Sequence, residues 1–271
     1  IVEFEQARSK AGLFMSDSTA REIVAQCQSF IENPEENLLI ETFHSRLEAY
    51  DGTDVTSADK AAFRQENSER IRESVIPAYE ILIQGLTGLL GTGVHEGGLC
   101  QLPEGKAYYT YLLQKNTGSS RSPEELRALI TSYLEESLNT MAALLIQSPE
   151  LASEYQSAAA SGTPEAMLSD LRQKIQTDFP PLPETACTVK YVHESLENYL
   201  SPAFYLTPPL DDYTSNVIYI NQGSPSSDLY STLAHEGYPG HLYQNVYFRS
   251  QNPNPLREFL GSLGYTEGWA T

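Results

Sequence analysis

A proline-rich segment, "FPPLPE" at residues 179 to 184, separates two parts of the sequence that have different patterns. Proline has no backbone N–H and clashes with the preceding helical turn, so three prolines in six residues exclude a regular helix there. Before this segment, apolar residues recur at helical intervals. After it, short runs rich in β-branched and aromatic residues alternate with turns. The sequence therefore predicts an α+β fold that is mainly α-helical.

The part before the proline-rich segment contains several helix start signals. The clearest is at Ser122, which is followed by Pro123 at the first helical position and by two glutamates in the first turn. Another helical run begins near Ser57 or Asp59 and contains Pro77, which predicts a kink. We therefore predict that residues 1–180 form a helical scaffold region.

Three short β-prone runs follow the proline-rich segment. They are "TVKYV" from Thr188, "AFYL" from Ala203 and "NVIYIN" from Asn216, and turn-forming residues separate them. Residues 181–271 are accordingly predicted to hold a small β-sheet and the helices of a metal site. We expect the two regions to form one continuous domain.

Charge and hydropathy exclude some classes of partner. With 36 acidic and 17 basic residues, the formal charge of −19 would repel a phosphate backbone, so nucleic acid is not expected as a partner. The most apolar stretch, Ile81–Val94, is too short and too rich in glycine to span a membrane. The three cysteines are far apart and predict neither a disulfide framework nor a cysteine zinc site.

The segment "LAHEGYPGHLY", residues 233–243, contains two histidines that are six positions apart. On an ideal helix, His235 and His241 would point about 120° apart and lie about 9 Å apart along the axis, too far to bind one ion. Pro239 removes the amide that would bond to the His235 carbonyl, and Gly240 tolerates unusual backbone angles. We predict a helix from about residue 228, capped by Ser226 or Ser227, with a two-residue bulge that makes both imidazoles face one point.

A carboxylate downstream offers a third ligand. Glu267 follows a turn-rich stretch and a short helical run, and on a second helix it would complete the His-His-Glu set that catalytic zinc sites use. Glu236 directly follows the first histidine and would serve as general base toward water at the metal. His44 and His193 lie in segments with ordinary helix or strand patterns. His95-Glu96 lacks a second histidine at the spacing that a metal site requires, so none of these residues is predicted to be a ligand.

"HEGYPGH" followed by Gln244, together with "EGWA" downstream, resembles an uncharacterised bacterial domain family that is grouped with the zincin metallopeptidases and has the pattern HExxPGHxxQ then EGWA. The segments "LCQLPEGKAYYTYLLQKNTGSSRSPEEL" and "PAFYLTPPLDDYTSNVIYIN" extend the resemblance over most of residues 90–271. The resemblance implies a zincin-like core in which His235, His241 and Glu267 bind the metal and Glu236 is the base.

Members of that family are longer at both ends, which predicts that this chain is a fragment of a larger bacterial enzyme and leaves open whether the fragment alone is active. The missing part would include the donor that stabilises the tetrahedral intermediate and part of the substrate pocket. The sequence begins at Ile1, without an initiator methionine. We expect an exported or envelope-associated protein whose leader has been removed.

The predicted function is that of a zinc metallohydrolase with one ion, which cleaves the peptide bonds of short peptides. Two alternatives stay open. The chain would be a non-catalytic peptide-binding or structural module if the histidines hold no metal, or an amidase if the acyl group is not a peptide. Metal content separates the first alternative from the prediction.

Overall fold

The computed structural model describes residues 1–93, 97–154, 162–224 and 228–271, and its fold is α+β and mainly helical, as predicted. The chain forms two compact units. Unit 1 comprises Ile1–Gly105 and His193–Tyr199, and unit 2 comprises Lys106–Val192 and Leu200–Thr271. The boundary predicted near residue 180 marks the change from helices to strands, and this change occurs within unit 2. The single continuous domain stays a prediction.

Unit 1 is helical in its described residues. Its helices are α1 (Val2–Lys10), α2 (Asp17–Ile31), α3 (Leu38–Ala49), α4 (Ser57–Arg70) and α5 (Ile76–Thr87), with short 3-10 segments at Pro34–Glu36, Gly98–Gln101 and Glu194–Tyr199. Ser16 caps α2, and Thr56 with Asp59 forms a capping box at the start of α4. A core that includes Phe14, Ala20 and Leu86 holds α2 and α5 together.

The kink predicted at Pro77 takes the form of a π-helical turn, Ile71–Val75, between α4 and α5. In a continuous α-helix the residue at position 77 would donate to the carbonyl of Glu73, which lies in this turn, and proline cannot do so. A π turn is a usual way for a helix to absorb such a break.

The helices of unit 2 are α6 (Gly105–Thr117, which begins at the last residue of unit 1), α7 (Pro123–Gln147), α8 (Pro164–Lys174), α9 (Leu229–Glu236), α10 (His241–Ser250), α11 (Leu256–Phe259) and α12 (Leu263–Ala270). A short 3-10 segment, Ile175–Thr177, follows α8. The start predicted for α7 is confirmed, because Ser122 and Glu125 form a capping box. Ser226, Ser227, His95 and Glu96 lie outside the described residues.

The three predicted strands are confirmed and form one small mixed sheet. They are β1 (Ala186–Tyr191), β2 (Ala203–Leu206) and β3 (Ser215–Ile220), in the order β1-β3-β2. β1 runs parallel to β3, and β2 runs antiparallel to it, with Tyr205 opposite Ile218. β2 is therefore an edge strand.

The core of unit 2 packs α8, α9 and α10 against the sheet. Its fully buried members include Ile218 on β3, Leu233 on α9, and Leu242 and Val246 on α10. Burying a side chain of this size contributes about 1.5–3 kcal/mol. This core fixes α9 and α10 relative to β2 and β3. Of the helices that the structure describes, none has the length and apolar character needed to cross a membrane.

Candidate metal centre

The histidine segment is divided between two helices. α9 ends at Glu236 and α10 begins at His241, so the predicted bulge within a single helix is instead a break between two helices. The Tyr238–Pro239 peptide bond is cis. Because Pro239 has no N–H to donate, the amide of Gly240 instead donates to the Ala234 carbonyl at 2.9 Å. The break brings the two histidines together across six positions.

Gly240 lies against the end of α9. A Cβ atom at this position would lie 1.7 Å from the carbonyl oxygen of His235 and 2.6 Å from that of Ala234. Both contacts are with backbone, which cannot rotate away. Glycine is therefore required at this close approach.

Replacing Gly240 with alanine is expected to lower the free energy of unfolding by about 2 kcal/mol or more, since the added methyl must displace backbone. Urea denaturation followed by circular dichroism measures this loss. Gly268→Ala is the matched control, because a Cβ there meets nothing within 4 Å in α12, and its stability should stay within about 1 kcal/mol of the native value. Native-like stability of Gly240→Ala would show that the break does not depend on this contact.

The two imidazoles face one point. Nε2 of His241 lies 3.1 Å from Nε2 of His235, and the rings are nearly perpendicular. The other ring nitrogen of His241, Nδ1, is buried and has no hydrogen-bond partner in the part of the chain that the structure describes. Two ring-nitrogen lone pairs at this separation repel each other unless a proton or a cation lies between them.

The structure brings Glu267 to the same point. Its Oε2 lies 3.7 Å from Nε2 of His235 and 3.7 Å from Nε2 of His241. Glu236 is also near, with Oε1 3.9 Å from Nε2 of His235. All four residues predicted for the site therefore converge.

The carboxylates of Glu236 and Glu267 are the two candidates for a third metal ligand. Ligand atoms of His235, Glu236 and His241 all lie within 4.8 Å of one another, which makes these three a compact group. Glu267 is more exposed, but its oxygen is closer and equidistant from both imidazoles. One oxygen of Glu236 is already engaged by a backbone amide. Of the two carboxylates, Glu267 therefore has the geometry that better suits a third ligand.

A tryptophan holds the helix that carries Glu267. Nε1 of Trp269 donates to the carbonyl of Pro239 at 2.7 Å, and the indole stacks on Tyr243 with ring centroids 6.1 Å apart and an interplanar angle of 1°. Nε2 of Gln244 also donates to the Tyr265 carbonyl at 3.3 Å. These contacts tie α12 to the break and to α10.

The edge strand orients Glu236. The backbone N–H of Tyr205 on β2 donates to Oε2 of Glu236 at 2.8 Å. The Tyr205 hydroxyl donates to Oδ1 of Asn216 at 2.7 Å and accepts from Nδ2 of Asn245 at 2.9 Å. Burial raises the pKa of Tyr205 to about 12, so this hydroxyl stays protonated over the physiological range. Glu236 is thereby fixed with its other oxygen directed at the histidines.

The supporting residues were not predicted from the sequence. Gln244 and Trp269 belong to the HExxPGHxxQ and EGWA patterns, so the sequence marked both residues, although it indicated no role for them. No sequence feature marked Tyr205, because it contacts Glu236 through its backbone amide. His193, which was not predicted to be a ligand, makes contacts with Glu41 and Ser195 in unit 1.

A family model described as "bacterial protein of unknown function (DUF885)" matches residues 3–271. The chain belongs to this family. No curated protein matches the chain. A crystal structure of a protein described as "the putative lipoprotein from Colwellia psychrerythraea" has the same fold, with a TM-score of 0.81 and 20% sequence identity. The match covers 99% of this chain and 50% of that protein, so this DUF885 chain spans half the length of its structural neighbour.

Proposed function

We propose that this DUF885 chain is a zinc-dependent hydrolase, or the metal-site half of one, and that it cleaves the peptide bonds of short peptides. One observation carries the proposal, namely that Nε2 of His235, Nε2 of His241 and Oε2 of Glu267 converge with mutual distances of 3.1, 3.7 and 3.7 Å. Two imidazoles and one carboxylate form a ligand set typical of catalytic zinc.

The distances and the chemistry of the set fit zinc. When zinc–ligand bonds are about 2.0–2.2 Å and the geometry is tetrahedral, the ligand atoms lie about 3.3–3.6 Å from one another. The observed distances between the three ligand atoms, 3.1, 3.7 and 3.7 Å, lie on either side of this range. All three atoms offer lone pairs, so the set favours a cation over a neutral occupant. When bound there, zinc would polarise the scissile carbonyl and lower the pKa of water.

Glu236 has the position of a general base. Its Oε2 is held by the Tyr205 amide, and its Oε1 is the oxygen directed at the site. In this role Oε1 takes a proton from the attacking water and later gives it to the leaving amine. The hydrogen bond from β2 keeps the carboxylate from rotating away between the two transfers.

The cavity beside this centre supports a small substrate. It has a volume of about 830 Å³ and is lined by Glu236, His241 and Glu267 among others. Small-molecule sites in proteins commonly enclose about 300–1,000 Å³, which suits a short peptide better than a folded protein.

Purified full-length protein loaded with zinc should hydrolyse short peptides, and a neutral chelator such as 1,10-phenanthroline should stop the hydrolysis until zinc is restored. Mass spectrometry of a defined peptide mixture measures both effects and identifies the cleaved bond. Zinc binding without cleavage of any peptide would favour the non-catalytic module, and cleavage of simple amides alone would favour an amidase.

We further propose that the protein is exported or envelope-associated. The lipoprotein description of the structural neighbour supports this location. Fractionation of cells and immunoblotting tests it, and recovery of the protein in the cytosolic fraction alone would contradict it.

A further inference from the structure

The cavity beside the candidate metal centre contains both signs of charge. Besides Glu236 and Glu267 it is lined by Arg249 and Arg257. The whole chain has only 17 basic residues against 36 acidic ones. With two arginines, the cavity lining has a larger share of basic residues among its charged residues than the chain as a whole. Positive charge in a substrate cavity favours an anionic group on the ligand.

One face of α10 connects the metal centre to the basic end of the cavity. His241, Asn245 and Phe248 all line the cavity and lie four and three positions apart, which places them on the same helix face. From His241 to Phe248 the helix rises about 10 Å. Because an extended peptide spans about 3.3–3.6 Å per residue, the two ends of this face are about three peptide residues apart.

The two arginines differ in what holds them. Arg249 is buried, and its guanidinium donates to the Pro209 carbonyl at 2.9 Å, so it is part of the cavity wall. Arg257 on α11 is exposed, and its guanidinium lies over the Phe248 ring, 5.0 Å from the centroid. Among the side chains that the structure describes, no carboxylate lies within 4.0 Å of the Arg257 guanidinium.

We propose that Arg257, supported by the Phe248 ring, binds a carboxylate of the peptide substrate about three residues away from the cleaved bond. This inference rests on the proposed function, because it assigns a substrate class to the same site. A guanidinium presents two parallel N–H donors that match a carboxylate, and stacking on an aromatic ring fixes its plane. The carboxylate is either the C-terminal group of the peptide or an acidic side chain.

Binding of three probes to zinc-free protein tests the proposal without using catalysis. The probes are trialanine with a free C-terminal carboxylate, trialanine amide, and Ala-Ala-Glu amide, which carries only a side-chain carboxylate. Zinc is removed with 1,10-phenanthroline, since a bound ion would itself attract carboxylates. Dissociation constants are measured by NMR titration. At least one carboxylate probe should bind about tenfold or more tightly than trialanine amide.

In Arg257→Gln the ratio of the dissociation constant of trialanine amide to that of the preferred carboxylate probe should fall to near one. Arg257→Lys, which keeps the charge but not the paired donors, should keep part of the preference. Arg127→Gln on α7 is the matched control, because it removes the same charge from an exposed position outside the cavity and should keep the full preference. Circular dichroism verifies that each variant is folded.

The pattern of binding assigns the source of the carboxylate. Tighter binding of free trialanine indicates a C-terminal group, and tighter binding of Ala-Ala-Glu amide indicates a side chain. Equal binding of all three probes, undetectable binding of all three, or a preference that Arg257→Gln leaves unchanged would overturn the proposal. Failure of the proposed function would appear separately, as the absence of zinc-dependent hydrolysis.

Discussion

Replacing His241 with alanine is expected to abolish zinc binding, and His235→Ala should do the same. Each imidazole supplies one of three protein ligands, and a site with one imidazole and one carboxylate left cannot hold zinc firmly. Inductively coupled plasma mass spectrometry of zinc-loaded, dialysed samples should find about one zinc per chain in the full-length native protein and partial occupancy in this chain alone. It should find almost none in either variant.

His193→Ala is the matched control for this experiment. It removes an imidazole of unit 1 that contacts Glu41 and Ser195, so zinc content should not change. Equal zinc in native protein and in both His235→Ala and His241→Ala would show that any bound metal lies elsewhere. Loss of zinc in His193→Ala as well would indicate a general effect on folding.

In the full-length protein, Glu236→Gln is expected to keep zinc but to lower kcat for a short peptide by at least about a hundredfold, the scale of a general-base contribution. Glutamine retains the shape and an oxygen that can accept the Tyr205 amide, so the local structure should persist. What it loses is the negative charge and the ability to accept a proton. Steady-state kinetics of zinc-loaded protein, with zinc content measured on the same sample, gives the result.

Glu267→Gln provides the comparison, since the same chemical change at a proposed ligand should lower both zinc content and kcat. A Glu236→Gln variant with zinc and near-native kcat would mean that another group is the base. If Glu236→Gln loses its zinc, Glu236 acts as a ligand or supports the fold instead.

Secondary structure followed closely from local sequence. The capping box at Ser122 and the three strands depend on residues that are near one another in the chain, so caps, turns and periodicity were sufficient. At Pro77 the position of the irregularity was predictable. Its π-helical form was not, because neighbouring packing decides how a helix absorbs a missing hydrogen bond.

The sequence predicted which residues form the candidate site, but it did not predict how the backbone brings them together. Spacing and residue type indicated His235, His241, Glu236 and Glu267. The sequence did not predict that the helix would end and restart between the histidines, because that depends on the Gly240 amide reaching the Ala234 carbonyl. Contacts such as the bond from Trp269 to the Pro239 carbonyl join elements about 30 residues apart, and only the folded chain defines them.

Zinc X-ray absorption spectroscopy tests the central claim, that His235, His241 and Glu267 hold one zinc, most directly. In zinc-loaded native protein we expect one zinc with two imidazole nitrogens and a carboxylate oxygen at about 2.0–2.2 Å, and almost no zinc signal from His241→Ala. Sulfur ligands, or a coordination shell unchanged in His241→Ala, would contradict the assignment.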